Sequence, residues 1–332
     1  MHRRPLLLAA PALLLAHPLA RRAAAQMPDR TITVVVPYPA GGPTDAVARL
    51  AAEAMARDLA PEGVPGVVVE NVSGAGGTIG SARVANARPD GSVLLMHHLG
   101  HAASATLYRK LPYDVEASFA PLGLINDVPL LVCARADFPA KDLRELMAMM
   151  RTRGLEITAA NSGLGGTDHL GGMLLQREAG AQITTVSFRG SAPATTEVIA
   201  GRVDLFFGQT TSTVAHIRAG RMKPYAITSP TRSRFEGLTE VPTVLEQGAP
   251  GLLMRIWQGM LAPKGTPEAV QHRLSRAIQT ALRDEKLLAR FRDLATEAVP
   301  QDQATPAFFT RQLAEDVARW RPIITAAGQY AD

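Results

Sequence analysis

The stretch Thr31-Ile32-Thr33-Val34-Val35-Val36-Pro37-Tyr38-Pro39-Ala40-Gly41-Gly42-Pro43-Thr44-Asp45 decides the fold. Its first six residues are all β-branched, which predicts a strand over Thr31–Val36. The prolines and paired glycines then make a turn. After Thr44, the apolar residues Val47, Leu50, Ala51 and Ala54 follow the i, i+3, i+4, i+7 spacing of a helix face. The same unit of strand, glycine turn and helix recurs. Ser73-Gly74-Ala75-Gly76-Gly77-Thr78 follows a strand candidate at Val67–Glu70. Ser162-Gly163-Leu164-Gly165-Gly166-Thr167 stands 89 residues further on and follows Leu155–Ala160. Ser92–Met96, Leu130–Ala134, Ile183–Ser187, Val203–Phe207 and Pro224–Thr228 are further strand candidates, with amphipathic stretches between them. This alternation predicts an α/β fold with parallel sheets and helices on their faces.

The final 70 or so residues read as helices. Thr266-Pro267-Glu268 and Thr305-Pro306 are helix starts. Val270, Leu274, Ala277, Ile278 and Ala281 give the buried face of one helix, and Phe309, Leu313, Val317 and Trp320 that of another. Such a tail fits a chain that returns to cover its first domain.

The glycine loops carry the chemistry. Glycine reaches positive φ and lets a ligand approach the main chain. The helix that follows presents free N–H groups and a partial positive charge. Thr44, Thr78 and Thr167 are placed to add a hydroxyl or to cap a helix. A loop of this build holds an anion without lysine or arginine. One such loop alone is an ordinary capped turn. Three of one build in one chain suggest an anion held from both sides of a cleft.

Phosphate and nucleophile motifs do not fit. In the G-x-G-x-x-G frame the last position is Ile79 in the second loop and Asp168 in the third. Neither G-x-x-x-x-G-K-[S/T] nor G-x-S-x-G occurs.

Composition narrows the class. The chain has 332 residues, 46% hydrophobic, 20% charged and only 5% aromatic, with a single cysteine, Cys133. That describes a globular protein with no internal disulfide and no base-stacking platform. Residues 1–25 read as a secretory signal. Arg3 and Arg4 precede the apolar run Pro5–Ala20, and Ala23-Ala24-Ala25 offers a cleavage point before Gln26. The run is short for a membrane span and contains Pro11 and Pro18. The twin arginines leave the export route open. The signal holds four of the 35 basic residues and no acidic one, which leaves 31 basic against 30 acidic beyond it. The mature charge is therefore near zero, and nucleic-acid binding is not expected.

With these motifs in place the chain resembles the periplasmic substrate-binding receptors of tripartite tricarboxylate transporters, the Bug family. Val36–Asp45 is similar to that family's opening signature and Glu70–Gly80 to its second. Ala87-Arg88-Pro89-Asp90-Gly91, Leu111-Pro112-Tyr113-Asp114, Ser162–Thr167, Gly201-Arg202-Val203-Asp204 and Ala262-Pro263-Lys264-Gly265-Thr266-Pro267 continue the match along the mature chain. The resemblance implies a two-lobed receptor of the type II periplasmic kind, with sheets flanked by helices and the ligand between the lobes. It places residues 26–129 with 252–332 in one lobe and 130–251 in the other, with hinges near Val128–Cys133 and Met254–Leu261. It implies a monomer that delivers a small organic anion to a membrane permease. No metal or other cofactor is expected.

The expected ligand-binding residues are Tyr38, Ala40, Gly41, Gly42, Thr44 and Asp45 from the first loop. Ala75, Gly76, Gly77 and Thr78 come from the second, and Ser162, Gly163, Gly165 and Thr167 from the third. His101, Arg189, Asp204 and Phe207 complete the set. Arg189 suits a second carboxylate, which guanidinium grips at two points. Asp45 and Asp168 each lie inside a helix start, where the dipole favours a carboxylate, and either could instead meet a ligand ammonium. Trp257 and Phe207 either wall the cleft or pack in the core.

Phe188–Ala194 and Met96-His97-His98-Leu99-Gly100-His101 depart from the family pattern. His97 and His101 have helix-face spacing for a metal, but no acid or cysteine accompanies them. Of the three histidines, His101 is expected in the cleft, with His97 and His98 at the surface or in the core. An exported hydrolase or lyase built on Ser162, His101 and Asp168 is the alternative of another class. A receptor serving a sensor kinase is a third reading.

Overall fold

The computed structural model describes residues 27–331, so the signal segment 1–25 lies outside the described residues. The chain runs β1 (Ile32–Val36), α1 (Pro43–Leu59), β2 (Val67–Asn71), α2 (Thr78–Ala85), β3 (Val93–His98), α3 (Gly100–Leu107) and the long strand β4 (Phe119–Arg135). It continues α4 (Leu143–Arg153), β5 (Thr158–Asn161), α5 (Thr167–Ala179), β6 (Thr184–Ser187), α6 (Ser191–Ile199), β7 (Leu205–Gln209), α7 (Thr210–Arg218) and β8 (Met222–Ile227). β9 (Arg255–Pro263), α8 (Glu268–Ala281), α9 (Glu285–Asp293), β10 (Glu297–Ala298) and α10 (Pro306–Ala327) close it.

The sheet order is β2-β1-β3-β9-β4-β7-β5-β6, with β8 and β10 paired to β4. Each arm is parallel, as the alternation predicts: β1 with β2 and β3, and β5 with β6 and β7. The centre is not. β4 and β9 run antiparallel to each other, and β3, β7 and β8 pair antiparallel to one of them. The all-parallel expectation is corrected there.

β4 joins the arms. Phe119–Pro129 pairs with β9, and Leu130–Arg135 pairs with β7 and β8. The change of partners falls at Pro129, which has no N–H to give a ladder. Thr228 secures this point: its Oγ1 accepts from Leu130 N at 2.8 Å and donates to Met254 O at 2.6 Å. The apolar stretch Leu130–Ala134 is fully buried, Cys133 included, and burial pushes the Cys133 thiol up.

The C-terminal helices return to the first arm, α8 against α1 and α10 against α3. Thr305 caps α10 by accepting from Phe308 N, with Pro306 behind it. Val270, Leu274, Ala277, Ile278, Phe309, Leu313 and Trp320 are buried as the periodicity requires. Thr266 does not cap α8; its hydroxyl donates to Pro263 O, and the helix begins one residue later than expected.

Candidate functional site

The three glycine loops stand at the C-terminal ends of β1, β2 and β5 and enter α1, α2 and α5, the end at which open parallel sheets bind ligands. The glycines bring loops from opposite arms into contact. A Cβ at Gly76 would collide with Tyr108 Oη and with the carbonyl oxygen of Leu164, so only glycine lets the second loop touch the third. A Cβ at Gly190 would press to 3.0 Å from Pro39. The cleft is closed at these points.

Two adjoining cavities lie between the loops and share Tyr38, Pro39, Ser162 and Gly190. The larger is about 430 Å³ and is lined by Gly74–Gly77, Gly163, Gly166 and Arg189. The smaller is about 50 Å³ and is lined by Ala40, Gly42, Thr44, His98, Thr167 and Gln209. Of the expected residues, Tyr38, Ala40, Gly42, Thr44, Ala75, Gly76, Gly77, Ser162, Gly163, Thr167 and Arg189 line one or both. Gly41, Thr78 and Gly165 belong to the same loops but line neither. Arg189 is exposed, carries the one charged side chain among the lining residues and has no ion-pair partner among the described residues.

The helix starts are left open by side chains. Gly42, Gly77 and Gly166 are the N-caps of α1, α2 and α5, and none of these helices has a side-chain cap. The expected threonine capping does not occur. Thr78 Oγ1 donates back to Ala75 O at 2.9 Å, and Thr167 Oγ1 accepts from Gln209 at 3.2 Å. Several loop N–H groups are already engaged: Gly41 with Asp45 Oδ2, Gly163 with Asn161 Oδ1 and Gly77 with Gly74 O. Those of Ala75 and Gly76, in the wall of the larger cavity, have no partner among the described residues.

Four expected site residues are placed elsewhere. Asp45 is buried and accepts from Gly41 N at 2.9 Å, Arg49 Nε at 3.1 Å and Asn71 Nδ2 at 2.9 Å. Burial pushes its pKa up, but these donors outweigh that and hold it below the usual range. It shapes the first loop rather than facing a ligand. Asp204 lies at the far ends of the strands, accepting from Thr158 N and Oγ1 and from Arg135 Nε, each at 2.9 Å. Phe207 packs against Gly171 and Gly172 of α5. His101 is fully buried, donates through Nε2 to Val115 O at 3.1 Å and packs against Phe119.

The cleft histidine is His98. β3 runs two residues further than the apolar pattern indicates, so His98 stands at the strand's end, where clefts form. Its Nδ1 accepts from Gly100 N at 2.8 Å, which fixes the proton on Nε2. Its ring stacks on Tyr38 with centroids 4.5 Å apart and lines the smaller cavity. Burial lowers the pKa of His98 to about 3 and of His101 to about 4, and drives His97 well below its usual value. All three are neutral near pH 7. Among the described residues no group of three or more His, Cys, Asp or Glu is placed to hold a metal. No described helix is long and apolar enough to cross a membrane.

Gln209 was also missed. Two residues along the same strand face from Phe207, it reaches Thr167 four residues earlier in α5 than Gly171. Running the strand to its true end would have found it. Asp168 sits behind the third loop, buried, accepting from Ser162 Oγ and His169 N at 2.8 Å each. Burial raises its pKa to about 6 against those hydrogen bonds.

Comparison with known proteins places the chain in a family and a fold. The family model for the tripartite tricarboxylate transporter family receptor matches residues 47–329. An Agrobacterium vitis protein, named for its place in the TAR-I ttuE-ttuC′ intergenic region, is 40% identical over 91% of this chain and 86% of its own length. The structure of the periplasmic binding protein BugD is 39% identical and superposes with a TM-score of 0.85, over 92% of this chain and all of that one. MatC from Rhodopseudomonas palustris, solved with bound malate, is 36% identical with a TM-score of 0.84, over 90% of this chain and all of that one. The matching family is one of receptors, and BugD is named a periplasmic binding protein. The chain thus belongs to the tripartite tricarboxylate transporter receptor family and has the two-lobed α/β fold of periplasmic binding proteins.

Proposed function

We propose that this receptor binds a small carboxylate in the closed cleft and delivers it to a membrane permease of the tripartite tricarboxylate type. The observation that carries the reading is the meeting of three uncapped helix-start loops around two adjoining cavities. Ala75 and Gly76 offer main-chain N–H groups, His98 a neutral Nε2–H, and Thr44 and Thr167 hydroxyls. Arg189 stands ready for a second carboxylate at the rim. A site of neutral donors at a helix start suits an anion without a buried countercharge. MatC, with malate bound, supports a dicarboxylate as the first class to try.

The lobes of this reading are residues 26–129 with 252–332, and 130–251. The change of partners in β4 at Pro129 and the Thr228–Leu130–Met254 knot support hinges there. The second hinge then precedes β9 rather than lying within it. Export follows from the signal segment, with cleavage near Ala25, and the receptor acts as a monomer.

A thermal-shift screen of residues 26–332, refolded to remove carried-over ligand, tests the reading. The panel holds mono-, di- and tricarboxylates, aromatic acids, amino acids and amides. A ligand at a hundred times its dissociation constant adds about 2.7 kcal/mol. Stabilisation by a carboxylate class is the expected result; a panel on which no anion acts sinks it. Co-purification with the permease subunits, strengthened by that ligand, tests the delivery step.

A further inference from the structure

The polar groups around the two cavities are sorted: acceptors are held by the protein and donors are left over. Among the described residues no aspartate or glutamate lines either cavity. The acids of the loop helices are already satisfied, Asp45 by Gly41, Arg49 and Asn71, and Asp168 by Ser162 and His169. Loop carbonyls are held as well. In the first loop Tyr38 O accepts from Asn71 Nδ2 and Gly42 O from Ala46 N, each at 3.0 Å. In the second, Gly74 O accepts from Gly77 N at 3.0 Å and Ala75 O from Thr78 Oγ1 at 2.9 Å. In the third, Gly163 O accepts from Gly166 N at 3.1 Å.

The open groups are donors. To the N–H groups of Ala75 and Gly76 a fourth helix start adds two more. α6 begins at the wall of the smaller cavity with Gly190 as its N-cap and no side-chain cap. The N–H groups of Ser191 and Ala192 have no partner among the described residues. His98, nine-tenths buried in the same wall, follows the rule. A main-chain N–H can only donate, so Gly100 takes the acceptor nitrogen of the ring and leaves Nε2–H for the cavity. Arg189 adds a full positive charge at the larger cavity, and each helix start adds a partial one.

Such a site treats ligand groups unequally. A carboxylate only accepts, and it meets donors. An ammonium only donates, and here it would lose its water with no acid to pair with, under a positive potential. A hydroxyl accepts as well as donates, so it is tolerated. We propose that this receptor takes plain and hydroxylated carboxylic acids and rejects amino acids of the same shape. The inference rests on the carboxylate-receptor reading above and narrows its ligand class.

Malate and aspartate make the decisive pair, because they differ by a hydroxyl against an ammonium on one carbon. Calorimetric titration of each into refolded residues 26–332 is run at pH 8. Asp168, whose pKa is about 6, is charged there and would help a cation most, so rejection at that pH is the stringent result. The comparison is repeated with whichever acid of the panel stabilises the receptor most and with its α-amino counterpart. The amino acid should bind at least about tenfold more weakly than its acid, the scale of a buried unpaired donor. Arg189→Glu, a change at an exposed side chain, sets an acid beside the larger cavity and should narrow that ratio about fivefold. A smaller difference in wild type, a ratio that Arg189→Glu leaves unchanged, or binding of amino acids alone overturns the proposal and leaves an anion receptor standing. Binding of no acid at all overturns the carboxylate reading and this inference with it.

Discussion

The second and third loops share the pattern Ser-Gly-x-Gly-Gly-Thr, yet the structure uses them differently. Ser73–Thr78 works through its main chain. Gly74, Ala75, Gly76 and Gly77 all have positive φ, and the N–H groups of Ala75 and Gly76 stay open. Its threonine folds back on the turn. Ser162–Thr167 works through side chains. Asn161 takes the Gly163 N–H, Ser162 donates to the buried Asp168, and Gln209 holds Thr167. An identical motif fixes the turn, while the residues packed behind it decide which atoms reach the cleft.

The glycines break this comparison most sharply. Gly76→Ala adds a Cβ that collides with Tyr108 and with the Leu164 backbone of the opposite loop, so closure is blocked. Ligand affinity should fall by about a hundredfold or more, the scale of losing a competent closed state. Gly163→Ala meets nothing within 4 Å, and its φ of +108° is the sole obstacle. Its cost is expected in stability, about 1–3 kcal/mol, with affinity little changed. Calorimetric titration beside thermal melting separates the two outcomes; similar affinity losses would mean the loops are equivalent.

Asp168 sharpens the contrast through pH, because the second loop has no counterpart to it. Its folded pKa of about 6 lies above the usual carboxylate value, with burial as the main cause. Its stabilising share is therefore full below about pH 4 and lost as pH rises through 6. Above pH 6 its charge also opposes an anion in the cleft. Carboxylate affinity should rise about fivefold from pH 8 to pH 6, a modest screened charge effect. Asp168→Asn keeps the acceptor for Ser162 and should bind equally at both values. A variant with the wild-type pH profile would place the titration elsewhere.

Thr78→Val has the smallest expected effect. Its hydroxyl bonds within the turn and lines neither cavity. Affinity measured by the same titration should stay within about twofold, against the roughly tenfold loss for Thr167→Val. Equal losses would erase the distinction between main-chain and side-chain loops.

These differences mark how far the sequence could be read. The parallel arms were legible because β1 and β5 carry their strand signal unbroken into a glycine turn. The antiparallel centre was not. β9 reads Arg-Ile-Trp-Gln-Gly-Met-Leu-Ala-Pro, and its buried Gln258 and Gly259 disguise a central strand as a loop. The first half of β4 is disguised likewise by Pro121, Gly123 and Pro129. Within the site, the loops were legible through their glycines. His98 and Gln209 were not, because each lies two residues beyond where the apolar run stops and belongs to a strand by pairing or burial alone. Asp45 and Asp204 look like site acids in sequence, and their partners, Arg49 and Arg135, are brought to them by the fold.

The most direct test is calorimetric titration of the refolded receptor and its Gly76→Ala variant with malate and the other carboxylates of the panel. The account predicts saturable binding to wild type by at least one of them, and binding about a hundredfold weaker or worse to Gly76→Ala, whose fold melts as a single cooperative unit. Equal binding by both proteins, or none by wild type, would contradict it.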